Sequence, residues 1–400
     1  MRSFDYIERF QNLGFGLFVH FGLYSLVGKG EWHFWHDPRA DKATYEKLPE
    51  KFRIAPNWAK QLVWAAKAAG ARYITLTTRH HDGFSLYDTC GLNEYDAPHS
   101  ACGRDLIKEF VEACRAADIV PFFYHTLLDW HNEDYQNNFP RYIDYLVESV
   151  KILCTNYGPI GGLWFDGMWD KPNDDWQLDR LYGTIRSLQP EAMIINNTGL
   201  SELGKVGHYE IDSVTFERGK ANPADCSDRP RAGEVCDGLN DHWGYTRDDL
   251  NYKSVKELIY ELIDCRRYNA NFLLNTGLRG NGAVNQTDKS LLLEVGKWIK
   301  RNKNFIYNVR GADVSAEHAD VLQDGNSLYA VIRDVGMIAN VNAARAKEIL
   351  KVKLNTSRPI KRAVWLDNGR AVSVRDNSFD AEPFPYGCSL CARVAKIELE

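Results

Sequence analysis

The sequence has no long apolar run. No window in its 400 residues approaches the roughly 20 apolar positions that a membrane-spanning helix needs. Its opening, MRSFDYIERF, lacks the apolar stretch of a secretory leader. A cytoplasmic location and no membrane partner are therefore expected. A basic excess is also missing. Lys and Arg number 49 against 54 Asp and Glu, a net charge of -5, so no basic face is available to bind nucleic acid electrostatically. Blocks of like charge, internal repeats and low-complexity stretches are absent, which excludes charged disordered tails and repeat architectures. The nine cysteines are odd in number and scattered, and read as reduced thiols. Only Cys388 and Cys391 form a C-x-x-C pair. With no second pair or partner histidine, they make a weak case for zinc. Finally, no glycine-rich turn follows the first apolar run, as a doubly wound nucleotide-binding sheet would usually show.

What is present is a long alternation of short apolar runs and helical patterns. GFGLFVHF (14–21), YITLTT (73–78), IVPFFYH (119–125), IGGLWFD (160–166), AMIINN (192–197) and NFLLN (271–275) read as strands. Between or after them lie helical patterns at 57–70, 104–118, 140–159, 175–190, 254–268 and 289–300. The boundaries carry chemical signals. Asn57 is a candidate N-cap and Gly70 a stop. Pro140 opens a helix, and Ser254 with Glu257 forms a capping-box pattern. Strand–helix alternation over nearly 300 residues implies a parallel sheet closed into a (β/α)8-type barrel. Six strands can be placed; strands six and seven fall somewhere in the loop-rich region 205–250. After about residue 305 the texture becomes short and alternating. SLYAVIRD, KEILKVKL, IKRAVWLD, RAVSVRD and ARVAKIELE read as strands of an antiparallel β-sandwich. The expected division is a barrel over 1–304 and a β-sandwich domain over 305–400.

A barrel carries its active site at the C-terminal ends of its strands. Here successive strands end in His20, in His80 and His81, in Tyr124 and His125, in Asp166, and in Asn196 and Asn197. One such residue is an ordinary strand end; five strands in a row converge on one mouth. Asp166 sits between Leu163-Trp164-Phe165 and Gly167-Met168, so its carboxylate needs hydrogen-bond partners to offset desolvation. Gly167 suggests close approach of a substrate to the backbone. GEWHFW adds Glu31, Trp32 and Trp35, and DHWGY adds Trp243. With 11 Trp and 20 Tyr in the chain, aromatic faces are available for the C–H face of a sugar ring, while carboxylates, imidazoles and amides take hydroxyls.

Together GFGLFVHFGLYS, GEWHFW, YITLTTRHHDGFSLYDT, GLWFDGMWD, DHWGY and NFLLNTGLRGNG resemble the retaining α-L-fucosidases of glycoside hydrolase family 29, in the family's order, from residue 14 to 282. The resemblance implies a fucosylated oligosaccharide as substrate and no metal or other cofactor. It implies that Asp166 is the nucleophile, and that His20, Glu31, Trp32, His80, His81, Tyr124 and Trp164 bind fucose. The acid/base varies among members: Glu217 is favoured, Glu234 is the alternative, and Glu210 stands third. Where many members carry an arginine after the fifth strand, this chain has NNTGL, and Arg218 is the substitute considered. Homo-oligomerisation is left open.

The chemistry of retention needs one carboxylate to attack the anomeric carbon and one carboxyl to donate, then accept, a proton. Three other readings compete: a metal-dependent hydrolase, a sugar-binding protein without turnover, and a glycosidase for another sugar. The first usually needs His-x-His on strand one, and this strand ends VHFG.

Overall fold

The computed structural model describes residues 3–338 and 349–400. Eight parallel strands close into a barrel in sequence order: β1 (Phe15–His20), β2 (Tyr73–Arg79), β3 (Val120–Thr126), β4 (Gly162–Asp166), β5 (Met193–Asn196), β6 (Ser213–Thr215), β7 (Ala232–Gly238) and β8 (Ala270–Gly277), which returns to pair with β1. Nearly every strand residue is buried, because helices cover the outer face and side chains fill the interior. Strands six and seven now have their places. β6 pairs with β7 through Val214 and Gly233 and through Thr215 and Glu234.

Helices Trp58–Ala69, Leu106–Ala116, Phe139–Asn156, Leu178–Leu188, Val255–Arg267 and Gln286–Arg301 surround the barrel. Each turns an apolar stripe inward; in Leu106–Ala116 it is Leu106, Ile107, Phe110, Val111 and Cys114. Among the described residues, no helix lies between β5 and β6 or between β6 and β7. Those connections are free to build the mouth. The Ser254–Glu257 capping box forms as expected, with Glu257 N donating to Ser254 Oγ and Ser254 N to Glu257 Oε2. Asn57 occupies the N-cap position, but its side chain makes no capping bond.

Helix Asp5–Gln11 seals the N-terminal end of the barrel. Its Tyr6, Ile7 and Phe10 join Phe18, Tyr73, Phe122, Tyr124, Trp164 and Leu273 in the interior cluster. That end is therefore plugged, whereas the opposite end opens into the cavity described below.

The C-terminal part is a β-sandwich. A five-stranded sheet runs in the order Ile360–Trp365, Ala392–Leu399, Ser327–Arg333, Asp320–Asp324 and Arg310–Gly311. A three-stranded sheet runs Ala316–Glu317, Lys351–Leu354 and Ser378–Asp380. Leu328, Ile332, Val352, Trp365, Phe379 and Ile397 pack between them. The expected strand RAVSVRD (370–376) makes only isolated bridges, from Ala371 to Val364 and from Arg375 to Ser378. The chain turns there, with Asp376 and Asn377 at positive φ, and the ladder strand begins at Ser378. The first two residues of the expected KEILKVKL strand lie outside the described residues; Ile349 and Leu350 precede the strand, which is Lys351–Leu354. Among the described residues no helix is long and apolar enough to cross a membrane.

Candidate active site

The barrel mouth holds a cavity of about 440 Å³. It is lined by His20, Trp32, His80, His81, Tyr124, Trp164, Asp166, Glu217 and Trp243 from the sequence-expected set, and also by Phe18, Trp169, Asn197–Ser201 and Cys236.

Asp166, the last residue of β4, is the hub. Its carboxylate accepts from Tyr124 Oη at 3.0 Å, from Trp169 Nε1 at 3.1 Å and from Asn197 Nδ2 at 3.2 Å, and His81 Nε2 stands 3.5 Å away. Three donors converging on two oxygens suit an acceptor-only carboxylate. The next residue, Gly167, has φ 94°, and a Cβ there would stand 2.6 Å from Leu128 Cβ. The space that only glycine permits is thus taken by Leu128, not by a ligand, which corrects the expectation from sequence.

Glu217 follows β6. Its Oε2 accepts from the same Asn197 Nδ2, at 2.6 Å. Asn197 is itself fixed, its Oδ1 accepting from Thr215 Oγ1 at 3.0 Å and from Gly199 N at 3.2 Å. Burial, then the charge of Asp166, push the Glu217 carboxyl up to about 7; the Asn197 hydrogen bond opposes that rise. One amide nitrogen touching both carboxyls places their nearest oxygens within about 6 Å.

The histidines form a buried, neutral cluster. Burial lowers His20 to about 4, His80 well below its ordinary range, and His81 below its usual value. The hydrogen-bond network assigns the tautomers of two of them. Asn275 Nδ2 donates to the Trp243 carbonyl, so Asn275 Oδ1 accepts from His20 Nδ1, 2.6 Å away. Thr126 Oγ1 donates to the Leu128 carbonyl and so accepts from His81 Nδ1 at 2.7 Å. The Nε2 lone pair of His20 is left as an acceptor for hydroxyl groups, while His81 Nε2 faces the Asp166 carboxylate. His80 stacks on Tyr124 (centroids 5.5 Å, 16°), which stacks in turn on Trp164 (5.6 Å, 20°). The wall is therefore rigid and aromatic.

Four expected residues are placed otherwise. Glu31 is buried behind the wall, its Oε2 accepting from Gly244 N at 2.6 Å, and burial raises its pKa. It shapes the Trp243 loop and does not line the cavity. Arg218 has φ 48°; its guanidinium covers the Trp243 ring at 4.7 Å and donates to the Asp241 carbonyl. It stands outside the lining, so NNTGL has no replacement arginine there. Glu234 lies inside the barrel, accepting from Tyr73 Oη at 2.5 Å and Trp164 Nε1 at 2.9 Å. Glu210 pairs with Arg186 at 2.7 Å, away from the lining. Sequence reasoning placed Asn197 at the mouth as a strand end without a role, and passed over Trp169 and Cys236. Trp169 lies within GLWFDGMWD. Nothing in the sequence marks Cys236. Among the described residues, no group of three or more His, Cys, Asp and Glu side chains is arranged to hold a metal ion. Cys388 and Cys391 are half-buried free thiols.

A parallel barrel whose mouth joins two carboxyls, imidazoles and aromatic faces is the build of a glycoside hydrolase. The family described as Alpha-L-fucosidase matches residues 2–304. Tissue alpha-L-fucosidase of Bos taurus is 28% identical over 358 residues, covering 81% of this chain and 74% of that protein. Alpha-L-fucosidase isoenzyme 1 from Paenibacillus thiaminolyticus is 32% identical, with a TM-score of 0.85 over 99% of both chains. A GH29 alpha-L-fucosidase of Bacteroides thetaiotaomicron, trapped as a covalent intermediate with 2-fluoro-fucosyl fluoride, shares the fold, with TM-score 0.81 and 21% identity over 100% of this chain and 97% of that one. The chain belongs to the alpha-L-fucosidase family of glycoside hydrolases.

Proposed function

We propose that this chain is a retaining exo-α-L-fucosidase, releasing terminal α-linked L-fucose from oligosaccharides or glycoconjugates. The observation that carries the mechanism is the Asn197 amide bridging Asp166 and Glu217. It holds the nearest carboxyl oxygens within about 6 Å, close enough for the two groups to act on one glycosidic bond. The trapped covalent intermediate of the Bacteroides neighbour agrees with this reading.

In the first step an Asp166 oxygen attacks the anomeric carbon while the bond from that carbon to the leaving oxygen breaks. Glu217, kept protonated near neutrality by burial and by the Asp166 charge, gives its proton to the leaving oxygen. In the second step Glu217 takes a proton from water, whose oxygen displaces Asp166 and frees fucose. His20 takes a hydroxyl through its Nε2, and His81 and Tyr124 stand against Asp166. Trp164 and Phe18 meet the apolar ring face and methyl group. Residues 1–304 serve as the catalytic unit and 305–400 as the sandwich domain.

The stereochemistry of the first-formed fucose from an aryl α-L-fucoside, followed by NMR before mutarotation, tests this. Initial appearance of the α-anomer is expected. Initial β-fucose sinks retention, and no fucose at all sinks the substrate assignment.

A further inference from the structure

An aromatic ribbon leads out of the cavity. Trp169 and Trp32 line the cavity and face each other at 6.0 Å and 30°. Trp32 meets Trp130 edge-on at 5.0 Å. Trp130 stacks nearly parallel on Trp35 at 5.3 Å and 15°. Packing does not explain the outer end. Trp35 is 61% exposed, and exposing an indole forfeits the burial that usually repays its size.

The ribbon is also held in register with the chemistry. Trp130 N donates to the His81 carbonyl at 2.8 Å. Its neighbour Asp129 accepts from His131 N and Asn132 N, each at 2.9 Å, and lies 3.8 Å from buried Arg79. At the inner end, a Cβ on Gly199 would stand 3.3 Å from Trp169. Trp169 therefore abuts the segment that carries Asn197, the residue holding both carboxyls.

We propose that Trp169, Trp32, Trp130 and Trp35 form a stacking platform for the aglycone, which selects substrates whose leaving group is itself a saccharide of two or more rings. This rests on the fucosidase reading and deepens it. The leaving group of an exo-enzyme must pass out through the mouth, and this run of indoles is a continuous apolar surface joining the cavity to solvent. Sugar rings present apolar C–H faces to indoles while their hydroxyls stay in water, so a half-exposed platform suits them better than a fully buried slot. The rims of protein–protein sites are different: they surround a desolvated centre, and here the ribbon opens instead into a cavity holding two carboxyls.

The test compares kcat/KM on α-L-fucosyl fluoride, whose leaving group has no ring, with kcat/KM on 2′- and 3-fucosyllactose. Trp35→Ala should lose about fivefold to tenfold on the fucosyllactose that the wild type cleaves, the size of one aromatic contact, mostly in KM. It should stay within about twofold of wild type on the fluoride, and Trp35→Tyr should restore most of the loss. An equal fall on both substrates, or no change on either, overturns the platform. So does a wild type that cleaves the fluoride but neither trisaccharide. A wild type inert on the fluoride sinks the fucosidase reading itself, and the platform with it.

Discussion

Glu217, just after β6, and Glu234, on the neighbouring β7, belong to one barrel, and burial pushes both carboxyls up to about 7. Their surroundings differ. Glu234 is fully buried, and its specific partners are two neutral donors, Tyr73 Oη and Trp164 Nε1, both of which oppose the rise. Glu217 is half-buried at the cavity, and after burial the next cause of its shift is the negative charge of Asp166. A raised carboxyl pKa is therefore not in itself the mark of a general acid. The mark is a raised pKa that depends on a second carboxylate, at a position a substrate can reach. Glu234 meets neither condition and instead pins the indole of Trp164 against the cavity.

The comparison can be broken most sharply at Asp166. Asp166→Gly should lose on the order of 10⁴-fold or more in kcat, since it removes the attacking group. Azide should restore part of that turnover and give β-fucosyl azide. Product identity by NMR is the check, and a variant that keeps near-native activity would end the nucleophile assignment.

Glu217→Ala should show a smaller loss that depends on the leaving group. With a poor leaving group the fall should be about 10²- to 10⁴-fold, the usual worth of general acid catalysis. With a good one, glycosylation should remain fast, and azide should accelerate turnover. Glu234→Ala showing this pattern in place of Glu217→Ala would reverse the two roles.

The pH profile sharpens the contrast further. A general acid works while protonated, so the alkaline limb of kcat/KM should fall near pH 7 as Glu217 loses its proton. The Asn197 hydrogen bond favours the ionised form of Glu217. Asn197→Ala should therefore move the limb to higher pH, besides lowering the rate through the lost contact to Asp166. A limb that stays in place would detach Asn197 from the titrating group.

Much of this was legible in the sequence, for a physical reason. Parallel barrel strands are buried on both faces, so β1 to β5 and β8 appear as apolar runs; of the polar residues closing them, His20, His80, His81, Tyr124, Asp166 and Asn197 fall at the mouth, whereas His125 meets Ser149 and Asn196 meets Tyr182 on the surrounding helices. β6 and β7 were hidden because Ser213–Thr215 is only three residues long, while Ala232–Gly238 carries Glu234 and Asp237 among its seven. An acid inside a strand argues against burial until the donors from distant Tyr73 and Trp164 are known. Side-chain direction was equally invisible. Glu31 and Arg218 sit beside Trp32 and Glu217 in sequence, yet one turns behind the wall and the other covers Trp243. Asn197 could be seen as a strand end, but its bridging of β4 to the loop after β6 exists only once the barrel closes.

The smallest effect on turnover belongs to Glu234→Gln, and its readout is stability. The folded state holds the Glu234 proton up to about pH 7, whereas the unfolded chain releases it near the ordinary 4.5. Between those values the native state binds more protons, so stability falls as pH rises from 4.5 to 7 and is level above that range. The span corresponds to a cost on the order of 3 kcal/mol, absent at low pH and complete above about pH 7. Glutamine reproduces the protonated form: its carbonyl oxygen can accept from Trp164 Nε1 and its amide can donate to Tyr73 Oη. Glu234→Gln should thus flatten this part of the stability profile, measured by denaturant melts at several pH values, while leaving the alkaline limb of activity near 7. Glu217→Gln should flatten the stability profile in the same sense and also remove that limb for a good leaving group. If Glu234→Gln abolished the limb as well, the buried carboxyl under Trp164, and not the one at the mouth, would be the group that titrates in catalysis.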